Sequence, residues 1–225
     1  MGQVANLRPI GNRHGGWGEN RPRRQPLYRV RTFHIRRLPH LHAVGQPIFL
    51  TWFLAGSLPA SRRFPEMLTS GQAFVAMDRI LDRAESGPRY LERAEIAALV
   101  VEAMEYRAVA GEYDLHSWVI MSNHVHLLIT PHVPVPKVMQ SLKRFTARQA
   151  NLILGFTGLR FWQDECYDRL VRDGTEFERI KRYIEWNPVR AGLVASPEEF
   201  FWSSARPIAN RPQVANLPHN SPDHA

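Results

Sequence analysis

From Pro47 onward the hydrophobic positions fall into alternating strand-like and helix-like runs. Pro47 to Ala55, Pro-Ile-Phe-Leu-Thr-Trp-Phe-Leu-Ala, is a continuous branched and aromatic run closed by Gly56-Ser57, and it predicts a strand. Over 71–85, Phe74, Met77, Ile80 and Leu81 return at helical spacing. Ser86-Gly87-Pro88 breaks that run, and a second helix is predicted over 92–108 through Ile96, Leu99, Val100 and Met104. Leu115 to Met121 predicts a strand, Ser122-Asn123 a turn, and His124 to Thr130 a strand again, together a tight hairpin. Pro131 and Pro134 end it, and Pro136 suits the first turn of a helix over 135–154 carried by Val138, Leu142, Phe145 and Leu152. Tyr167 to Val171 predicts the last strand. Asp173-Gly174-Thr175 then supplies a break and an N-cap, with Thr175 and Glu178 spaced as a capping box. That helix passes through Phe177, Ile180 and Ile184 and stops before Pro188, whose ring disfavours helical geometry at Asn187. Trp202-Ser203-Ser204 is expected to pack back on the core.

The order β, α, β, β, α, β, α predicts one α+β domain over 45–204: a ferredoxin-like, split βαβ antiparallel sheet with its helices on one face. Residues 1–44, rich in Gly, Pro and Arg, and 205–225, rich in Pro and Asn, lack a hydrophobic period and are expected to be disordered extensions. The 61–65 stretch reads as a loop.

Composition changes this picture little. Hydrophobic residues at 44% and charged residues at 22% are ordinary for a globular protein. A single cysteine, Cys166, excludes a disulfide framework and a CxxC zinc site. No apolar run approaches the ~20 residues of a membrane-spanning helix. The net charge of +8 points toward nucleic acid, but nine arginines against Glu19 place all of it in residues 1–44. Lys137, Lys143, Arg144 and Arg148 line polar faces of the 135–154 helix, where they would track phosphates, and Trp162 would stack a base. Read without a ligand, the four cations are a solvated face and Trp162 is core.

The chemistry gathers on His124 and His126. Two residues apart on a strand, they point to the same side, and two neutral imidazoles there form half of a divalent-cation site. Downstream, Tyr183 and Asn187 stand four apart on the capped helix and share one of its faces. If that face meets the histidines, Asn187 becomes a third, oxygen ligand and Tyr183 a nucleophile beside the ion. Two imidazoles and an amide oxygen suit Mg²⁺ or Mn²⁺ better than a thiolate-seeking metal. Otherwise Tyr183 is an ordinary helix residue and Asn187 a helix cap. Tyr167 is the alternative nucleophile.

Asn123-His124-Val125-His126-Leu127-Leu128, with Trp162-Gln163 and Tyr183-Ile184-Glu185-Trp186-Asn187-Pro188-Val189-Arg190-Ala191-Gly192, resembles the HUH single-tyrosine transposases. Within them it is most similar to the REP-associated tyrosine transposases, relatives of the small insertion-sequence transposases. The resemblance covers roughly residues 45–204; Ser122 stands where the family commonly has Pro. It implies an HUH endonuclease core, with His124, His126 and Asn187 holding Mg²⁺ or Mn²⁺ and Tyr183 as nucleophile. It further implies cleavage and rejoining of single-stranded DNA beside hairpins through a 5′-phosphotyrosine, in transposition or repeat-element processing. A cytoplasmic, nucleoid-associated monomer or homodimer without membrane attachment is the matching expectation. Two other readings remain: a hairpin-binding protein without catalysis, and a hydrolase whose nucleophile is water.

Overall fold

The computed structural model describes residues 34–36, 38–40, 43–58, 70–85 and 87–206. Residues 1–33 and 207–225, expected to be disordered, and the 61–65 loop lie outside the described residues. Within the first extension, β1 (His34–Arg36) and β2 (Leu38–His40) pair antiparallel as a small separate ladder, where no element was expected.

The other elements follow the hydrophobic pattern closely. They are β3 (Ile48–Phe53), α1 (Ser70–Arg83), α2 (Ala94–Val109), β4 (Tyr113–Ile120), β5 (His124–Pro131), α3 (Val135–Leu154), β6 (Tyr167–Leu170), α4 (Gly174–Glu185) and the short α5 (Asn187–Arg190). Chain punctuation explains their ends. Gly155 closes α3 in the left-handed region, at φ 71°, and its N–H returns to the carbonyls of Asn151 and Leu152. The α4 cap differs from the expected one. Asp173, in extended backbone, accepts from the Glu176 N–H at 2.8 Å, so the helix starts before Thr175. At the other end Trp186 leaves helical geometry, with φ −87° and ψ 0°, and Pro188 opens α5.

The main sheet has the order β4-β5-β3-β6, all neighbours antiparallel. The β4–β5 turn is tight, with the Met121 N–H on the His124 carbonyl at 2.9 Å. At the open edge of β4, the Ile120 N–H bonds the Trp202 carbonyl and the Ser204 N–H bonds the Trp118 carbonyl, so 202–204 covers the strand as expected.

Strand alternation sorts the core into two layers. Ile48, Leu50 and Trp52 of β3, Trp118 and Ile120 of β4, and Val125, Leu127 and Ile129 of β5 face α2 and α3. Phe49 and Phe53, Val119, and Leu128 face Phe74, Met77 and Leu81 of α1 and Ile180 and Ile184 of α4. Helices therefore cover both faces of the sheet, which corrects the one-faced arrangement expected. The reason is compositional: β3 is buried along its entire length and β5 at every residue but Thr130, and a strand apolar on both sides needs a cover on both sides.

Candidate metal centre and nucleophile

His124 and His126 sit at the start of β5 on the α1/α4 side, both fully buried. Their Nε2 atoms are 3.2 Å apart. Each ring is oriented from behind. His124 Nδ1 lies 2.7 Å from Asn123 Oδ1, whose amide nitrogen donates to the Leu81 carbonyl at 3.1 Å. With an acceptor there, His124 carries its proton on Nδ1 and turns the Nε2 lone pair into the site. His126 Nδ1 lies 2.7 Å from Thr51 Oγ1, its cross-strand partner on β3, and Phe49 stacks along its ring. Burial, and then the neighbouring His126, pushes the His124 imidazole down to about 3, so it is neutral at physiological pH and fit to ligate.

Helix α1 brings two carboxylates that the sequence reading did not single out. Asp78, fully buried, places Oδ1 3.2 Å from His126 Nε2 and 3.8 Å from His124 Nε2. Asp82 Oδ1 is 3.6 Å from His124 Nε2. Asp78 Oδ1 has no hydrogen-bond partner, although it is sealed from solvent. A buried, unpaired carboxylate oxygen is costly unless a cation neutralises it. Burial works to raise the Asp78 carboxyl, but attraction from His126 and His124 and a hydrogen bond from Tyr183 outweigh it and hold the group below its usual range. Burial, and then repulsion by Asp78, pushes Asp82 up to about 7. The signal for both was present in α1: Asp78 and Asp82 stand at i and i+4, each one residue past the apolar stripe positions Met77 and Leu81.

Tyr183 and Asn187 come to the same point from α4 and α5. The Tyr183 hydroxyl donates to Asp78 Oδ2, and its ring is held edge-on by Phe49 and tilted against Phe74. Burial first, then the Asp78 charge, keeps the phenol above its ordinary range, so in this arrangement it is protonated. The Arg190 guanidinium lies over the Tyr183 ring, 3.8 Å from its centroid, and bonds the Tyr183 carbonyl at 3.3 Å. The Asn187 amide satisfies its neighbours best with its nitrogen donating to Asp82 Oδ1 at 3.2 Å. Its oxygen then faces His126 Nε2 and an Arg190 guanidinium nitrogen, each at 3.2 Å. Among the described residues, Asp78, His124 and His126 present donor atoms within 4.8 Å of one another and are able to hold a metal ion. The donor set suits one: the Nε2 atoms of His124 and His126, an orphaned carboxylate oxygen and an amide oxygen.

The other sequence-predicted site residues lie elsewhere. Helix α3 packs on the opposite side of the sheet, so Lys137, Lys143, Arg144 and Arg148 do not border the histidines. Lys137, Arg144 and Arg148 are exposed there. Lys143 is half-buried and ties α3 to the next loop through the Gln163 and Asp164 carbonyls. Trp162 is core, only 4% exposed, its Nε1 donating to Thr146 Oγ1 at 2.9 Å and its ring against Trp52. It is unavailable as a stacking platform, because its indole seals the α3 side of β3. Tyr167, the alternative nucleophile, is buried and stacked on Phe74.

The buried His-x-His pair on an inner strand and the tyrosine helix laid across it form the arrangement that the motif resemblance implies. Comparison with known families agrees: the family described as "Transposase IS200 like" matches residues 89–187, a span that includes both histidines and ends on Asn187. No curated protein matches the chain. Among solved structures, one described as a REP-associated tyrosine transposase bound to a REP hairpin is similar at 17% identity. It covers 76% of this chain and 82% of its own, with a TM-score of 0.48. No described helix is long and apolar enough to cross a membrane.

Proposed function

We propose that the protein is a metal-dependent single-strand DNA transposase or endonuclease that cuts and rejoins DNA beside hairpins, with Tyr183 as nucleophile. One observation carries this reading: the Tyr183 hydroxyl and the imidazoles of His124 and His126 converge on the two oxygens of a single buried carboxylate, Asp78. A structural tyrosine needs no such company, whereas a phosphotransfer nucleophile does.

His124 Nε2, His126 Nε2, Asp78 Oδ1 and the Asn187 amide oxygen would hold Mg²⁺ or Mn²⁺, hard enough for oxygen donors yet tolerant of imidazole. When bound, the ion supplies charge neutralisation to the oxygens of the scissile phosphate. The remaining work belongs to the chain. Phe49, Phe74 and Arg190 fix the Tyr183 ring, so the phenol meets the phosphorus without a search through rotamers. Asp78 Oδ2 accepts the phenolic proton as the Tyr183 oxygen attacks phosphorus. The bond from phosphorus to the 3′ oxygen breaks, and that oxygen takes up a proton to leave as a 3′-hydroxyl. The product is a phosphodiester between Tyr183 and the 5′ end. A second 3′-hydroxyl attacking that phosphorus releases the tyrosine and reseals the strand without an external energy source.

The test incubates the protein with Mn²⁺ and labelled single-stranded hairpin DNA and looks for a denaturant-resistant protein–DNA adduct. Tyr183→Phe is expected to abolish the adduct and strand cleavage together. Cleavage that persists in Tyr183→Phe would make water the nucleophile and overturn the mechanism. Binding without cleavage by the wild type would leave a hairpin-binding protein.

A further inference from the structure

Two clefts on the α1/α4 side of the sheet are used by nothing described so far. The first, about 670 Å³, runs between α1 and α4 over Phe49, Phe74 and Ile180, with Arg79, Arg169, Arg172 and Arg179 on its rim. The second, about 340 Å³, lies among Arg179, Arg182, Trp186 and Arg190. Tyr183 and Arg179 line both, so the two adjoin at the nucleophile. Their charge is strongly unbalanced. Arg169, Arg172 and Arg179 share one carboxylate, Glu176, and the Arg172 and Arg179 side chains remain 70% and 67% exposed. A guanidinium has five N–H donors, so Glu176 takes only a minority of those the three arginines carry. In the second cleft Trp186 is 41% exposed, an indole left in water seven residues past Arg179 on the same helical face as Tyr183. The Arg182 guanidinium lies 5.9 Å from its ring centroid.

An exposed indole ringed by guanidinium groups suits an unpaired nucleobase, which offers a π-face to the ring and phosphates to the cations. An apolar protein segment would leave those cations desolvated and unpaired, and duplex DNA has no free base face to offer. We propose that an unpaired base flanking the scissile phosphate stacks on Trp186, its strand steered by Arg182, and that the strand continues past Tyr183 into the α1–α4 cleft. Trp186 thus sets which side of the cut carries a single-stranded grip. This inference rests on the single-strand DNA reading above and adds a subsite and a strand path to it.

The experiment measures binding of a labelled oligothymidine to the full chain in Mn²⁺ by fluorescence anisotropy. Trp186→Ala is expected to weaken binding about fivefold or more, and Trp186→Phe, which keeps a stacking ring, by no more than about twofold. Arg182→Gln should flatten the dependence of log K on log salt by about 0.7, one phosphate on a single strand. Cross-linking of a 5-iodouracil oligonucleotide to the wild type gives a second readout independent of any variant's folding, expected within 182–190. Unchanged affinity in Trp186→Ala, or cross-links confined to other peptides, would overturn the subsite while adduct formation by the wild type left the transposase reading intact. A dimer that Trp186→Ala dissociates without loss of DNA affinity would assign the indole to a second copy instead. If the wild type neither binds the oligonucleotide nor forms an adduct, both readings fall.

Discussion

Asp78 divides its two oxygens between two tasks. Oδ1 faces the histidine nitrogens with no hydrogen-bond donor of its own, while Oδ2 receives the Tyr183 hydroxyl. A carboxylate in that position helps bind a cation and accepts the proton that a phenol must lose, and an amide does neither well. Asp78→Asn should therefore cut the Mn²⁺-induced rise in Tm to less than half of the wild-type rise, read by differential scanning fluorimetry, since ligand stabilisation follows the affinity for the native state. A rise equal to that of the wild type would remove Asp78 from the ligand set. The sequence showed the strand histidines, Tyr183 and Asn187 through their spacing together with the motif resemblance. It was nearly silent on Asp78, because a carboxylate beside an apolar stripe reads as the polar edge of an amphipathic helix.

At the scale of elements, α4 is the part on which the site depends most, and one buried glutamate anchors it. Glu176, in the first turn of α4, accepts from Arg169 of β6 at 2.6 Å, from the Arg172 backbone N–H and guanidinium at 2.9 Å, and from Arg179 at 3.1 Å. The guanidinium of Arg172 does most to pull its carboxyl down to about 2; burial opposes this, and the Arg172 N–H and Arg169 add to the lowering. A carboxyl whose pKa falls on folding contributes stability above its unfolded value of about 4.5, and that stability is lost as pH falls toward 2. Chemical denaturation between those limits should show the wild type losing stability steeply. Glu176→Gln should start less stable near neutrality and lose less across the same window. Parallel pH curves for the two proteins would show that the arginine cluster does not anchor α4. The capping difference belongs here too: an Asp, a Gly and a Thr in succession each suit a helix start, and only the backbone path out of β6 selects Asp173.

On the scale of the whole molecule, the sheet separates a structural side from a chemical one. The side under α2 and α3 is an apolar layer in which Leu127 is fully buried; the side under α1 and α4 holds the histidines, the carboxylates and Tyr183. Leu127→Ala should cost about 2–5 kcal/mol in urea unfolding, the range for deleting a buried leucine side chain. Since Leu127 points away from its neighbours His126 and Leu128, the folded variant should keep its Mn²⁺ affinity within about twofold, measured by calorimetry; a larger loss would show that the two sides are coupled. The same separation moves the cations of α3 away from the site. Their spacing was legible, but which face of the sheet a helix covers depends on the crossover that carries it, which no local pattern encodes.

Periods of two and of three to four residues, with Gly, Pro and Asp at the joints, were sufficient for β3 to β6, for α1 to α4 and for most of their limits. Those features depend on neighbours within a few residues, and so does the alignment of His124 with His126. The joint motif of those histidines and the Tyr183 helix also carried the family resemblance. Tertiary structure alone decided three things: that helices cover both sides of the sheet, that Asp78 and Asp82 meet the histidines, and that Trp162 is core while Trp186 is open. The physical reason is range. Each of these depends on packing between segments separated by tens of residues, where burial of apolar area and neutralisation of buried charge choose among arrangements that local sequence leaves equal.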